Sequence, residues 1–368
     1  MSANAENDLS IYPRNPVLYN EILPVEVVFH PSWWHRHAGL TFDEDFFYDP
    51  VRRVEVEQTM ERVLYERFGD LGLGKDRDRD LPVIGAVHNA AGYLISEMIG
   101  CKVEYREAEP PLVIPARRSD LSIDVEEAFS GGPFNRLRRL VDALKLAHGY
   151  VVGDVNWGGI LNLALDLRGQ DIFLDMIDRP AEVRAFFGRL AEVIKRFTDY
   201  VEWETGTTSI SVNRTVRHIQ GPVFLHSECA LTMISAGHYE SFILPIDRAW
   251  SEGRRPFGVH FCGEDPHRYA DALAKIPHLD FLDVGWGGDL RLLREKLPKT
   301  FLNIRLSPVL IVDQGVEDIR RAITSRVAAA GNPCLTGVCC INMDDRVADD
   351  KVRAIFETIF ELRRGYAS

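Results

Sequence analysis

Long apolar runs are missing from this 368-residue chain. None reaches the roughly 20 residues that a membrane-spanning helix needs, so an integral membrane protein is not expected. Dense cysteine spacing is missing as well. Six cysteines over this length do not make the closely spaced framework of a disulfide-stapled secreted domain. The first residues are polar and interrupted by Pro13 and Pro16, without the basic-then-apolar pattern of a secretory signal. Basic patches are limited to scattered arginine pairs and the formal net charge is −12, which argues against nucleic acid as a partner. No internal repeat, low-complexity tract or linker interrupts the chain. These absences lead to the expectation of a reduced, cytoplasmic protein of enzyme size, whose acidic surface suits a small-molecule substrate or a protein partner with a basic face.

What is present is an ordinary core composition, 46% apolar, organised as strands alternating with helices. The apolar pattern predicts a helical stretch over residues 42–69 and a buried strand over 81–87. From there, strand candidates at 102–105, 150–155, 208–212, 223–225, 257–262, 281–284, 301–306 and 335–340 are separated by helical stretches that include 135–148, 180–205, 239–252, 316–330 and 347–364. Such alternation implies parallel strands joined by crossover helices. The expected architecture is α/β, a (β/α)₈ TIM barrel spanning 81–368. Residues 1–80 are expected as an N-terminal arm and helical extension packed on it, and the active site at the C-terminal ends of the strands.

The most informative segment is Gly258-Val259-His260-Phe261-Cys262-Gly263. Residues i and i+2 of a strand point to the same face, so His260 and Cys262 converge on one point. Imidazole nitrogen and thiolate sulfur are the ligands Zn²⁺ prefers, and a third ligand from another strand leaves one position open for chemistry. The segment Gly337-Val338-Cys339-Cys340 offers that ligand. Its two cysteines face opposite ways; the rhythm shared with residues 258–262 favours Cys339 on the ligand side and Cys340 outward. Cys101, Cys229 and Cys334 read as buried core thiols, a common place for cysteine.

Further candidates stand at other expected strand ends. His88 and Asn89 follow the strand at 81–87, while Asn156 and Trp157 hold the same place after the strand at 150–155 and look like substrate contacts. His226 and Glu228 follow the strand at 223–225 and share a face. Glu228 is a candidate fourth zinc ligand or hydrogen-bond acceptor, with a helix cap as its structural alternative. Asp283 competes for the same role.

From about Leu81 onward the chain resembles the uroporphyrinogen decarboxylase superfamily, and more closely its zinc-dependent, corrinoid-linked methyltransferase branch. The resemblance rests on His260, Cys262 and Cys339 or Cys340. It is carried also by Gly153-Asp-Val-Asn-Trp-Gly-Gly159, Asp178-Arg-Pro-Ala-Glu182 and Ser307-Pro308. It implies a (β/α)₈ barrel, a catalytic zinc, and methyl transfer between a small thiol, methoxy or methylamine compound and a cobalamin-type corrinoid carried by a separate protein. The chain has no evident Asp-x-His-x-x-Gly corrinoid motif of its own. The decarboxylase branch fits less well. Its arginine-rich segment is represented by Trp33-Trp34-His35-Arg36-His37-Ala38-Gly39-Leu40, where Arg36 remains as a candidate substrate contact and the second arginine is replaced by Leu40. Its key aspartate has no counterpart in residues 87–91. A decarboxylase or lyase acting on a smaller acid and a non-catalytic binding barrel are the rival readings.

Overall fold

The computed structural model describes residues 9–12, 21–74, 82–84, 93–153, 157–206 and 223–367. Ten strands lie among them: β1 Val25–Phe29, β2 Val83–Ile84, β3 Lys102–Glu104, β4 Leu112–Ile114, β5 Val152–Gly153, β6 Phe224–Ser227, β7 Phe257–His260, β8 Phe281–Val284, β9 Phe301–Leu306 and β10 Thr336–Met343. Six form one parallel sheet in the order β1-β10-β9-β8-β7-β6. β2 and β5 pair in parallel as a second sheet, and β3 with β4 forms an antiparallel hairpin. Helices lie between the successive strands β6 to β10, as parallel connections require.

The large sheet is a curled half-barrel. The expected TIM-like architecture is met to that extent. Among the described residues no pairing joins the β2/β5 sheet to the six-stranded one, so the closed ring of eight is not complete there. The candidate strand at 208–212 lies outside the described residues. One strand was not anticipated at all. Val25–Phe29, within the stretch expected as a packed-on extension, pairs in parallel with the final strand, Val25 opposite Val338 and Val27 opposite Cys340. Its sequence, Val-Glu-Val-Val-Phe, is rich in the β-branched residues that suit a pleated surface.

Other boundaries follow local chemistry. The helical stretch expected over 42–69 is two helices, Glu44–Tyr48 and Pro50–Phe68. Pro50 cannot donate to a preceding turn but fits a first helical position, and the Asp49 carboxylate caps the second helix by accepting from Arg52 N at 2.8 Å. The stretch at 239–252 likewise divides before Pro245 into Ala236–Phe242 and Leu244–Gly253. The long helix comes exactly where its apolar stripe put it, Pro180–Thr205, burying Val183, Phe186, Phe187, Leu190, Ile194 and Phe197.

Neighbouring strands are in register, Gly258 opposite Phe281 and Leu225, His260 opposite Asp283 and Ser227, Asp283 opposite Asn303, and Arg305 opposite Cys339. In a parallel sheet, side chains of paired residues share a face. One face therefore carries an apolar layer of Leu225, Phe281 and Phe301 around Gly258, and above it, toward the strands' C-terminal ends, a polar row. The opposite face packs Phe224, Val259, Leu282, Leu302 and Cys340 into the helices. Gly258 leaves the room that the apolar layer fills: a Cβ there would stand 2.8 Å from Leu225 Cδ1 and 2.9 Å from the Phe281 carbonyl oxygen. Gly258→Ala should therefore destabilise the fold by about 1–3 kcal/mol through overpacking, read as a lower urea midpoint at unchanged slope. An unchanged midpoint would show that the layer is looser than described.

Candidate metal centre

The polar row begins at His260, at the end of β7, and every member is buried. His260 Nδ1 lies 2.7 Å from Asp283 Oδ2 on the next strand. The other carboxylate oxygen, Asp283 Oδ1, accepts from Asn303 Nδ2 at 2.6 Å, and the same amide reaches Cys339 Sγ at 3.4 Å. With its Nδ1–H donated to Asp283, the His260 ring presents the lone pair of Nε2. This carboxylate–histidine pair fixes the tautomer and ring direction of metal-binding histidines.

Around that lone pair the chain gathers sulfur. Cys229, His260 and Cys262 bring their ligand atoms within 4.8 Å of one another. His260 comes from β7, Cys262 lies two residues beyond, and Cys229 opens the short helical turn Cys229–Met233 that follows β6. The Glu228 amide donates to the His260 carbonyl oxygen at 3.1 Å, which locks the Cys229 turn beside β7. Cys262 is held from the other side. Its neighbour Gly263 packs backbone to backbone on Gly285 after β8, where a Cβ on Gly285 would stand 1.7 Å from the Gly263 carbonyl oxygen.

Electrostatics divide the thiols. A hydrogen bond from Cys229, outweighing burial and aided by Arg305 and His260, holds the Cys262 thiol well below its usual range. Cys229 is pushed well up by that same hydrogen bond and by burial. Burial also pushes Cys339 well up. Burial and Arg305 work against a charge on His260, but Cys262 and Asp283 outweigh them and its affinity for a proton rises. Two sulfurs and one oriented imidazole nitrogen fit Zn²⁺ in both donor type and proximity.

Above this set lies Arg305 of β9, fully buried. Its Nη1 stands 2.9 Å from His260 Nε2 and 3.3 Å from Cys262 Sγ. Burial disfavours its charge, yet the surrounding thiols and Asp283 outweigh that and strengthen the guanidinium's hold on its proton.

The remaining sequence candidates are distributed as follows. Cys339 is on the inner face beside Asn303, whereas Cys340 faces the helices with its Sγ near the Leu306 carbonyl oxygen at 3.8 Å. The described three-ligand group contains neither and takes Cys229 instead. Asp283 is in the row as the partner of His260. Glu228 is a helix cap: Oε1 accepts from Leu161 N at 3.0 Å, at the start of the helix Ile160–Arg168. His226 is paired with Val259 rather than His260 and so lies on the helix-packed face. There it stacks on the buried Trp157 at 5.8 Å and bonds Asp247 Oδ1 at 2.6 Å and Glu228 Oε1 at 2.9 Å. Arg36 is exposed at the molecular surface and pairs with Asp345 Oδ2 at 3.0 Å. His88, Asn89 and Asn156 lie outside the described residues. Sequence reasoning missed Cys229 and Arg305. Arg305 had a signal, a charged residue two positions after Asn303 in an apolar strand; Cys229 had only its place just after a strand end.

No protein-family model matches the chain, and no curated protein is a significant match in sequence. Solved structures do share its shape. A methyltransferase from Methanosarcina mazei superposes with a TM-score of 0.67 at 12% identity, over 93% of this chain and 94% of that one. A B12-independent methionine synthase from Shewanella, in complex with selenomethionine, covers 94% of this chain and 97% of its own at 11% identity, with a TM-score of 0.48. At 12% identity the likeness to the Methanosarcina mazei protein shows a shared fold. No helix among the described residues is long and apolar enough to cross a membrane.

The His226 network makes a pH prediction. Burial alone would lower its pKa, but Asp247 and Glu228 outweigh burial and raise it from 6.5 to about 10. A raised folded-state value contributes stability that is complete below the unfolded value and is lost as pH rises through the folded one. That contribution should therefore decline between about pH 7 and about pH 10. In an NMR titration the His226 Cε1–H resonance should stay fixed through neutrality and move near pH 10. A midpoint near 6.5 would show that the imidazolium is not clamped.

Proposed function

We propose that this chain is a zinc-dependent methyltransferase, moving a methyl group between a small thiol, methoxy or methylamine compound and a corrinoid carried by a separate protein. The observation that carries the reading is the Cys229–His260–Cys262 set at adjacent strand ends of a half-barrel. The fold shared with a methyltransferase supports it.

Cys229, His260 and Cys262 would hold a zinc ion, which would supply a soft, charge-neutralised centre suited to a substrate thiol or to an ether oxygen or amine that carries the methyl group. The protein's own contributions are visible around it. Asp283 holds the proton on His260 Nδ1 and so leaves Nε2 free to bind; Asn303 fixes that carboxylate. The hydrogen bond from Cys229, with Arg305 and His260 beside it, holds the Cys262 thiol well below its usual range. Arg305 keeps a positive charge beside the sulfurs. The apolar layer of Leu225, Phe281 and Phe301 closes the bottom of the site to water. A metal centre of two thiolates and one imidazole does not by itself call for a carboxylate-gripping clamp, and Arg36, the remnant of such a clamp, faces solvent. Methyl transfer is therefore preferred over decarboxylation.

The purified protein should contain one zinc per chain by elemental analysis. Cys229→Ser, His260→Ala and Cys262→Ser should each weaken zinc binding by orders of magnitude, because each leaves two ligands. Cys340→Ser should keep the metal. If Cys339→Ser loses zinc while Cys229→Ser retains it, the third ligand is the inner-face cysteine of β10 instead.

For the chemistry, zinc-loaded protein should change the visible spectrum of methylcobalamin in the presence of an accepting thiol, or of Co(I) cobalamin in the presence of a methoxylated or N-methylated donor. The change should vanish with Cys262→Ser. A zinc-loaded protein inert toward every donor and acceptor, also with corrinoid proteins supplied, would remove methyl transfer and leave a lyase as the better reading.

A further inference from the structure

We propose that a cavity beside the metal centre, walled by two arginines, is a binding site for a small carboxylate. The cavity has a volume of about 60 Å³, and Trp286, Arg305, Ser307, Leu310, Gln314 and Arg326 are among the residues that line it. That is several times the roughly 10–15 Å³ that admits one water, enough for a carboxylate with a short chain behind it. Trp286 follows β8, Ser307 follows β9, and Arg326 comes from the helix Val316–Ala330, so the cavity lies at the C-terminal ends of β8 and β9. Arg305 belongs to both places: it lines the cavity, and its Nη1 stands 3.3 Å from Cys262 Sγ.

The two arginines call for an anion. Among the described residues neither has a carboxylate within ion-pairing distance, and the Nε of each is buried without a hydrogen-bond partner. A buried guanidinium left in that state is costly. Asp283, the carboxylate of the polar row, has its two oxygens engaged by His260 Nδ1 and Asn303 Nδ2. Arg305 Nη1 lies 2.9 and 3.4 Å from the two nitrogens of the His260 ring and so over the face of that ring, which holds the group in place and gives it no anion. Arg326 donates to the Trp286 and Gly285 carbonyl oxygens at 3.0 and 3.3 Å, which leaves N–H groups over from the five that a guanidinium carries. Burial alone acts on the Arg326 pKa, and lowers it; a bound carboxylate would reverse that. The planar fork of an arginine takes a carboxylate through two parallel N–H···O bonds.

A carboxylate seated there is either the tail of the small-molecule substrate, whose other end reaches the metal centre, or a free anion; only the first rests on the zinc reading above. The test is isothermal titration calorimetry of mercaptopropionate, mercaptoethanol and acetate on zinc-loaded and metal-free protein. Wild type, Arg326→Gln and Arg326→Lys are compared, with circular dichroism confirming the fold and elemental analysis the zinc. Zinc-loaded wild type should bind mercaptopropionate about tenfold more tightly than uncharged mercaptoethanol, the scale of one charge-assisted hydrogen bond. Arg326→Gln should abolish that preference at unchanged zinc content. Arg326→Lys, which keeps the charge but loses the fork, should retain part of it, and decides the matter if the glutamine variant does not fold. Acetate that binds zinc-loaded and metal-free protein as tightly as mercaptopropionate does, through Arg326, supports the site and assigns it to a free anion. A wild type that takes up no zinc yet binds acetate through Arg326 overturns the zinc reading and leaves the anion site standing. A wild type that holds zinc but binds no acetate and does not distinguish the charged from the uncharged thiol overturns the anion site and leaves the metal centre in place. A preference that persists undiminished in both variants overturns it equally.

Discussion

A 2.7 Å hydrogen bond between His260 Nδ1 and Asp283 Oδ2 sets the terms for everything around it. It decides which ring nitrogen is protonated, which nitrogen is offered to a cation, and which way the imidazole faces. It also obliges the neighbours to be polar. A carboxylate taken out of water needs its remaining lone pairs satisfied, which is why Asn303 stands opposite Asp283 with its amide on the second oxygen. The strand register then carries the requirement across the sheet, to Cys339 and Arg305 on one side and Ser227 on the other. A mostly apolar sheet thus acquires one polar row, near the end where crossover loops can supply Cys229 and Cys262.

The two sides of β6 show how one strand serves separate ends. On its inner side it abuts β7, and the turn beyond it delivers Cys229. On its outer side His226 is enclosed by Trp157, Trp250, Asp247 and, through that aspartate, Tyr239. Glu228 joins the two: its side chain completes the imidazolium's pairing and caps a helix, while its backbone amide ties to β7. Glu228 thus links the outer network to the Cys229 turn, which Asn162 and Tyr269 also hold through Ala230 N and the Leu231 carbonyl oxygen.

Much of this could be read in advance, and the reason differs from place to place. The helix Pro180–Thr205 and the strands Phe281–Val284 and Phe301–Leu306 were legible because each carries a complete local signal, an apolar stripe or a short apolar run with clear stops. The convergence of His260 and Cys262 was legible because it depends on two residues of one segment. Cys229 was not, because its proximity to Cys262 arises from the pairing of β6 with β7 and a turn whose path no spacing encodes. The inward facing of Glu228 and His226 toward a common site was inferred from their shared parity; the register with Val259 instead turns His226 to the helices. Val25–Phe29 had a local strand signal but no neighbouring helix pattern to mark it as part of the sheet, and its partner is the farthest strand in the sequence.

That last pairing bears on how the molecule comes into being. β1 and β10 are separated by roughly 300 residues, among the least local contacts a chain of this size can make, and such contacts slow folding because loop entropy is spent before they form. As the chain is synthesised, Val25–Phe29 emerges early and, among the described residues, has no partner until Thr336–Met343 arrives. A short β-branched strand with both edges open is a template for pairing with other chains. The nascent protein therefore passes through a period of exposure to aggregation that ends only when its final strand is delivered.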